Sequence, residues 1–163
     1  MRSSSRQRFP DVNGMHKVSL AEETDIPRLC ELLGILFSQE KDFEPDAVKQ
    51  SAALLQILRR PEVGYILVLR EGSVILGMVS LLYTISTASG GRAAMLEDMV
   101  VQPERRGEGL GTELLLAAVA FARENGCLRI TLLSDRANEA AICFYQKYGF
   151  RMSAMLPLRM MLE

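Results

Sequence analysis

The chain has 163 residues, of which 48% are hydrophobic and 24% are charged, and its formal net charge is −1. This size and composition are typical of one globular domain with its own core, and they exclude an intrinsically disordered chain. The balanced charge argues against a nucleic-acid partner. The longest apolar run, Leu114 to Ala122, is too short to cross a membrane.

Cysteine and histidine usage limits the chemistry that is available. Cys30, Cys127 and Cys143 are an odd number and form no C-x-x-C pair, so we expect neither a disulfide framework nor a zinc site, and no metal. A hydrolase triad would have to use His16, which lies near the start of the chain. Reduced cysteines favour a cytoplasmic location.

The first residues differ in composition from the rest. Residues 1–14 are rich in arginine and serine and end in the turn-like sequence Asp-Val-Asn-Gly. No apolar segment follows, as a secretory signal would require. We therefore expect an N-terminal extension over residues 1–14 and a single domain over residues 15–163.

Hydrophobic periodicity predicts a strand, two helices and a hairpin in the first half of the domain. Pro27 marks a first helical turn, and Glu-Gly-Ser separates the two β-rich runs. The predicted elements are a strand over His16–Leu20, a helix from Thr24 or Asp25 to Gln39, a helix over Asp46–Arg59, and strands over Val63–Arg70 and Val74–Thr87.

The second half alternates strands with helices, and Gly126 marks a helix C-terminus. The predicted elements are a strand over Met95–Val101, a helix over Gly109–Asn125, a strand over Leu128–Leu133, a helix over Asn138–Tyr148, and one or two strands over Phe150–Leu162 that pack their methionines. The order β-α-α-β-β-β-α-β-α-β predicts one mixed α/β (α+β) domain whose sheet is largely antiparallel.

The most specific feature is a turn with glycines at alternate positions, Gly107, Gly109 and Gly111, between a predicted strand and a predicted helix. Glycine lets several backbone N–H groups point into one concavity, and a helix N-terminus adds partial positive charge. Such a turn can hold a pyrophosphate, and Arg105 and Arg106 in front of it favour an anion. The alternative is a tight turn without a ligand.

Two common phosphate-binding patterns do not match this turn. A dinucleotide fingerprint starting at Gly107 would need glycine where Thr112 stands. A P-loop would need a lysine, and none lies here. The turn therefore predicts an anion site of another kind.

At this turn the sequence resembles the GCN5-related N-acetyltransferase (GNAT) superfamily. The stretch RGEGLG from Arg106 is similar to the family's Arg/Gln-x-x-Gly-x-Gly/Ala motif, and Leu96–Pro103 resembles its fourth strand. Further on, NEAAICFYQKYGF from Asn138 is similar to the family's N-x-x-A-x-x-F-Y-x-x-x-G-F ending. The resemblance covers the chain from Met15 in element order, and it implies a sheet whose fourth and fifth strands splay apart around a pantetheine arm.

The resemblance implies acetyl-CoA as a co-substrate and suggests which residues would hold it. The backbone of Met99, Val100 and Val101 would pair with the pantetheine and polarise the thioester carbonyl. Asn138 would reach the pantetheine from the start of the last helix. The pyrophosphate would be held by the backbone N–H groups of Arg106, Gly107, Glu108, Gly109, Leu110, Gly111 and Thr112.

Acetyl transfer to an amine needs a base for the amine and an acid for the departing thiolate. Tyr145 occupies the position where the family commonly has its acid, although it could instead be a core aromatic residue. The resemblance favours Glu97 as the base, directly or through water, and Asp98 beside it is predicted to face the other side of the sheet. Because the strand is apolar, a buried carboxylate there would be costly unless used or paired.

Together these features imply an acetyl-CoA-dependent N-acetyltransferase that moves an acetyl group directly to a primary amine of a small molecule or a protein. The alternatives are a non-catalytic acyl-CoA-binding or partner-docking module of the same fold, and an enzyme for a longer acyl chain. The acceptor pocket is expected from the first two helices, the acidic loop between them and the hairpin near Tyr83. We expect no nucleic-acid or membrane partner, and a homodimer, common in the family, is compatible with the N-terminal extension.

Overall fold

A computed structural model describes residues 14–39 and 46–162. The expected N-terminal extension, apart from Gly14, and most of the acidic loop lie outside the described residues. The chain divides into two compact units, Met1–Leu132 and Leu133–Glu163, each of which is described by itself. The boundaries predicted for a single domain stay a prediction.

The first unit contains a five-stranded sheet in the order β1-β2-β3-β4-β5. The pairs from β1 to β4 are antiparallel, and β4 pairs with β5 in parallel, which confirms the mixed and largely antiparallel sheet. The strands are β1 (His16–Leu20), β2 (Gly64–Glu71), β3 (Val74–Ser86), β4 (Gly91–Val101) and β5 (Ile130–Leu132). β4 begins earlier than predicted because its hairpin pairing with β3 continues to Ser86 and Gly91.

Four α-helices were predicted, and the structure contains each of them: α1 (Ile26–Phe37), α2 (Ala47–Leu58), α3 (Leu110–Glu124) and α4 (Glu139–Lys147). Pro27 lies in the first turn of α1. The Asp46 side chain caps α2 by accepting hydrogen bonds from the N–H groups of Val48 and Lys49. Gly126, with φ of +75°, follows the end of α3 in the left-handed conformation that a glycine adopts readily. None of the helices within the described ranges is long and apolar enough to cross a bilayer.

The two faces of the sheet are covered by different helices. On one face, leucines of α1 and α2 pack against β2, β3 and β4 in a buried cluster, which contains Leu29, Leu32, Leu33, Leu54, Ile66, Val68, Ile75, Met78 and Val100. On the other face, Phe121 of α3 makes an edge-to-face contact with Tyr65 at a centroid distance of 5.1 Å. Each fully buried Leu or Phe contributes about 1.5–3 kcal/mol, so this packing holds the helices against the two faces of the sheet.

The prediction of one or two strands over Phe150–Leu162 is wrong. Residues 150–162 contain no strand, and Met152, Met155, Met160 and Met161 are exposed rather than packed. The segment is rich in apolar residues, but Pro157 has no N–H for a ladder. The Met155 N–H donates to the Ser153 hydroxyl, which forms a local turn instead.

Candidate active site

The fourth strand contains a bulge at the centre of the candidate site. Met78 of β3 pairs with Val100 and Ser80 pairs with Glu97, so one residue of β3 faces two residues of β4, Asp98 and Met99. Asp98 has a φ of +51°, and its carboxylate accepts a 3.4 Å hydrogen bond from the Ser80 hydroxyl. Because a bulge bends and twists its strand, β4 changes direction here, while Val100 and Val101 still pair with β3.

The parallel pairing between β4 and β5 is short. It joins Ala94, Met95 and Leu96 to the three residues of β5 and stops before the bulge. β4 itself continues to Val101. β4 therefore extends past the end of its pairing with β5, and its residues Met99 to Val101 lie beyond that pairing. The splay of the two strands that the resemblance implied stays a prediction.

The glycine turn follows β4 after a short 3-10 helix over Pro103–Arg105, and Gly107 is six residues beyond the end of the strand. Gly107 and Gly109 have φ of +82° and +86°, and Gly109 is the residue before α3. A Cβ atom at either glycine would meet nothing within 4 Å, so the turn faces open space. Two of the predicted donors are used inside the chain: the N–H of Arg106 donates to Pro103 O and that of Thr112 donates to Gly109 O.

The remaining N–H groups of the turn, from Gly107 to Gly111, have no partner in the chain backbone among the described residues. The first N–H groups of a helix have no acceptor within it, and the α3 dipole adds partial positive charge. Of the seven residues predicted to donate to a pyrophosphate, the five from Gly107 to Gly111 therefore remain as candidate donors.

The two arginines in front of the turn have different surroundings. Arg105 donates through Nε to Glu108 at 2.8 Å and through its terminal nitrogens to Glu71 at 3.0 and 3.1 Å. Arg106 is exposed, and its Nε donates to Val101 O at 3.4 Å; within the described ranges it forms no salt bridge. Within the described ranges, Arg105 is thus held by two carboxylates that join the turn to β2, whereas the charge of Arg106 is not neutralised by a salt bridge.

Sequence reasoning missed a second support for the turn. Arg28 of α1 donates to Ile75 O at 3.1 Å and to Gln102 Oε1 at 2.7 Å, and so ties α1 to the residue that follows β4. The contact joins residues 74 positions apart. No local pattern marks such a pair, because only the packing of α1 on the sheet brings the two residues together.

The pairing register places Glu97 on the sheet face that α1 and α2 cover, since Glu97 pairs with Ser80 and its neighbours on that face include Met78 and Val100. Glu97 is exposed, so the expected cost of burying its carboxylate does not arise. Strict alternation also fails at the bulge, because the Asp98 carboxylate reaches the Ser80 hydroxyl. The two carboxylates are therefore not separated onto opposite faces as predicted.

The second unit holds the other two candidate residues. The Asn138 side chain accepts a hydrogen bond from the Ala141 N–H at 3.1 Å and caps α4. Tyr145 lies between the rings of Phe144 and Phe150, at centroid distances of 5.3 and 5.7 Å. Burial raises the pKa of the Tyr145 phenol, which favours the protonated form.

Within the described part of the chain, no three His, Cys, Asp or Glu side chains are grouped so as to hold a metal ion. The candidate chemistry therefore comes from backbone N–H groups, an arginine, carboxylates and a phenol. A bulged strand, a glycine turn and the start of a helix therefore follow one another along the chain, in the order that the resemblance to acyltransferases implied.

Comparison with known proteins identifies the family. The profile of the Acetyltransferase (GNAT) family matches residues 26–150. Glucosamine 6-phosphate N-acetyltransferase of Trypanosoma brucei brucei is 32% identical over 137 residues, which cover 83% of this chain and 88% of that protein. Aminoalkylphosphonate N-acetyltransferase of Salmonella typhimurium is 31% identical over 134 residues, which cover 81% of each.

Solved structures share the fold. A possible acetyltransferase from Clostridium difficile 630 superposes with a TM-score of 0.82 at 13% identity, covering 91% of this chain and 99% of that one. The chain thus belongs to the GNAT family, as the sequence resemblance indicated, and it is an acyltransferase of the N-acetyltransferase type.

Proposed function

We propose that the protein transfers an acetyl group from acetyl-CoA to the primary amine of a small molecule that also carries a phosphoryl group. The observation that carries the donor is the glycine turn, whose N–H groups from Gly107 to Gly111 have no chain acceptor among the described residues. The acceptor class is supported by two relatives, whose names specify glucosamine 6-phosphate and an aminoalkylphosphonate. Both substrates combine an amine with a phosphoryl anion.

The described residues fit the anionic part of acetyl-CoA. The open space at Gly109 leaves room for a pyrophosphate beside the α3 N-terminus. The Arg106 guanidinium adds a positive charge at the end of β4. Acetyl-CoA supplies the activated thioester, and the backbone from Met99 to Val101, which lies beyond the pairing of β4 with β5, would pair with its pantetheine.

The protein's own groups would then move protons. Glu97, exposed on the sheet face of α1 and α2, takes a proton from the acceptor amine directly or through water. The amine nitrogen forms a bond to the thioester carbon, and donors from the β4 backbone stabilise the charge on the carbonyl oxygen. When the carbon–sulfur bond breaks, the Tyr145 phenol, which burial keeps protonated, gives its proton to the thiolate.

Asn138 is assigned a role consistent with its cap. Its side-chain oxygen accepts from the Ala141 N–H, so its NH₂ group is the part that would donate to the pantetheine. Cytoplasmic location and homodimer formation stay predictions, and acetyl-CoA supply in the cytoplasm is compatible with the first.

A calorimetric titration with acetyl-CoA, free CoA and NAD tests the donor. Saturable binding of both CoA species without binding of NAD supports the proposal, and no binding at millimolar concentration contradicts it. Release of CoA thiol, measured with matched acceptor pairs, then tests the acceptor. Glucosamine 6-phosphate should exceed glucosamine, and an aminoalkylphosphonate should exceed the corresponding alkylamine. Equal rates within each pair would contradict the phosphoryl requirement, and binding without thiol release for any amine would favour a non-catalytic acyl-CoA-binding module.

A further inference from the structure

His16 is the one histidine of the chain, and the proposed mechanism does not use it. Its side chain is 11% exposed and lies between two carboxylates. Nε2 is 3.3 Å from Glu71 Oε1, and Nδ1 is 3.6 Å from Glu113 Oε2. Neither nitrogen has a hydrogen-bond partner among the described residues, so both contacts are electrostatic.

Both carboxylates lead to the glycine turn. Glu113 lies in the first turn of α3, and its side chain is 12% exposed. Glu71 binds the guanidinium of Arg105, and Arg105 in turn binds Glu108 within the turn. A charge on His16 therefore affects the α3 N-terminus through Glu113. It affects the glycine turn through the ion pairs that Arg105 forms with Glu71 and Glu108.

The charges that face His16 are mostly negative. They are Glu71 from β2, Glu113 from α3, Glu108 from the glycine turn and Arg105 from the segment before it. Lys17, the next residue of β1, is exposed. With a neutral imidazole, the three carboxylates and the one guanidinium of this group have a net charge of −2. An imidazolium adds a positive charge and reduces this net charge to −1.

We propose that protonation of His16 tightens the binding of the CoA pyrophosphate at the glycine turn, so that His16 and Glu113 together make donor binding sensitive to pH. The inference rests on the proposed function, because it assigns a regulation to the same anion site. A proton on His16 holds Glu113 against β1 and offsets a carboxylate that competes with the ligand for the positive end of α3. An added positive charge on this side of the turn attracts the pyrophosphate, and such an interaction at the surface of a protein changes a Kd severalfold.

Calorimetry with 3′-dephospho-CoA provides the test, because this probe keeps the pyrophosphate and lacks the titrating phosphate monoester. In the full chain without an affinity tag, the Kd should fall roughly threefold to fivefold between about pH 8 and pH 6. His16→Gln should remove most of this change, and Glu113→Gln should tighten binding at about pH 8. Lys17→Gln, which removes an exposed charge from the neighbouring position, should keep the wild-type pH dependence.

A spectroscopic readout separates this role from a merely structural one. Since the chain has a single histidine, its ring protons give one set of NMR signals, which should move toward the imidazolium position when 3′-dephospho-CoA is added at neutral pH. The same pH dependence in wild type and His16→Gln, or an unmoved imidazole signal on ligand binding, would overturn the inference alone. Absence of CoA binding at every pH would overturn the proposed function and this inference with it.

Discussion

The Ser80 hydroxyl donates a 3.4 Å hydrogen bond to the Asp98 carboxylate at the position where the pairing of β3 and β4 changes register. Asp98 has a φ of +51°, which L-amino acids other than asparagine and aspartate rarely adopt. The bond therefore joins the bulge to a buried residue of the neighbouring strand. It holds the part of β4 from which we expect the pantetheine to be bound.

Substitutions at Asp98 should follow the tolerance of each side chain for positive φ. Asp98→Asn and Asp98→Gly should change the free energy of unfolding little, whereas Asp98→Val should lower it by about 1–2 kcal/mol. Urea denaturation measures the difference. Because valine also disturbs the bulge, the KM of Asp98→Val for acetyl-CoA should be higher than that of Asp98→Asn. Equal stability for the Asn and Val variants would show that the bulge is absent in solution.

Gly109 should be required for donor binding rather than for folding. A side chain at Gly109 would point into the open space beside the α3 N-terminus, where the pyrophosphate is expected. Gly109→Gln should therefore weaken acetyl-CoA binding at least about tenfold, measured by calorimetry. It should lower the free energy of unfolding by only about 1–2 kcal/mol, the cost of a left-handed backbone in a residue with a Cβ.

Gly126 is the matched control, because it lies at the other end of α3. Its φ is +75°, and a Cβ there would also meet nothing within 4 Å. Gly126→Gln should lower stability by a similar amount and leave the Kd for acetyl-CoA unchanged. If both variants lost binding equally, the effect would be due to the helix as a whole and not to the turn.

Local sequence predicted those features of the site that depend on local backbone. Gly107 and Gly109 mark the turn because glycine tolerates positive φ, and Asn138 marks the start of α4 because its side chain can cap a helix. The pairs of Arg105 with Glu71 and of Arg28 with Gln102 were not predictable, since only the folded sheet brings them together. The prediction of the final strands failed for a related reason: a stretch rich in apolar residues does not by itself supply a strand partner.

Glu97 and Asp98 can be distinguished as candidate bases by their surroundings. Glu97 is exposed on the face of α1 and α2, whereas the Asp98 carboxylate is bonded to Ser80. Glu97→Gln should lower kcat about a hundredfold with little change in the Kd for acetyl-CoA, as for removal of a general base. Asp98→Asn should have a smaller effect on kcat. The opposite ranking in the thiol-release assay would assign the base to Asp98.

Loss of the Tyr145 hydroxyl should affect turnover rather than donor binding. Tyr145→Phe should lower kcat about a hundredfold or more and leave the Kd for acetyl-CoA unchanged. Because burial raises the pKa of this phenol, the wild-type rate should show no alkaline decline from it below about pH 10. Tyr148→Phe removes a hydroxyl from the residue just after the same helix and should keep the wild-type kcat. Equal rates for wild type and Tyr145→Phe would exclude Tyr145 as the acid.

Arg105 should stabilise the fold only while its two carboxylate partners are charged. Its guanidinium lowers the pKa of both Glu71 and Glu108. Since each folded-state pKa lies below the unfolded value of about 4.3, the stabilisation is complete above that pH and is lost as the pH falls through the folded-state values. Arg105→Gln should therefore lower the Tm near neutral pH, and the difference from wild type should shrink as the pH falls below about 4.3. Arg60→Gln is the control, because the Arg60 side chain bonds to the uncharged Gln56. The difference in Tm between this variant and wild type should be the same at neutral and at acidic pH. A pH-independent difference in Tm for Arg105→Gln as well would contradict the ion-pair account.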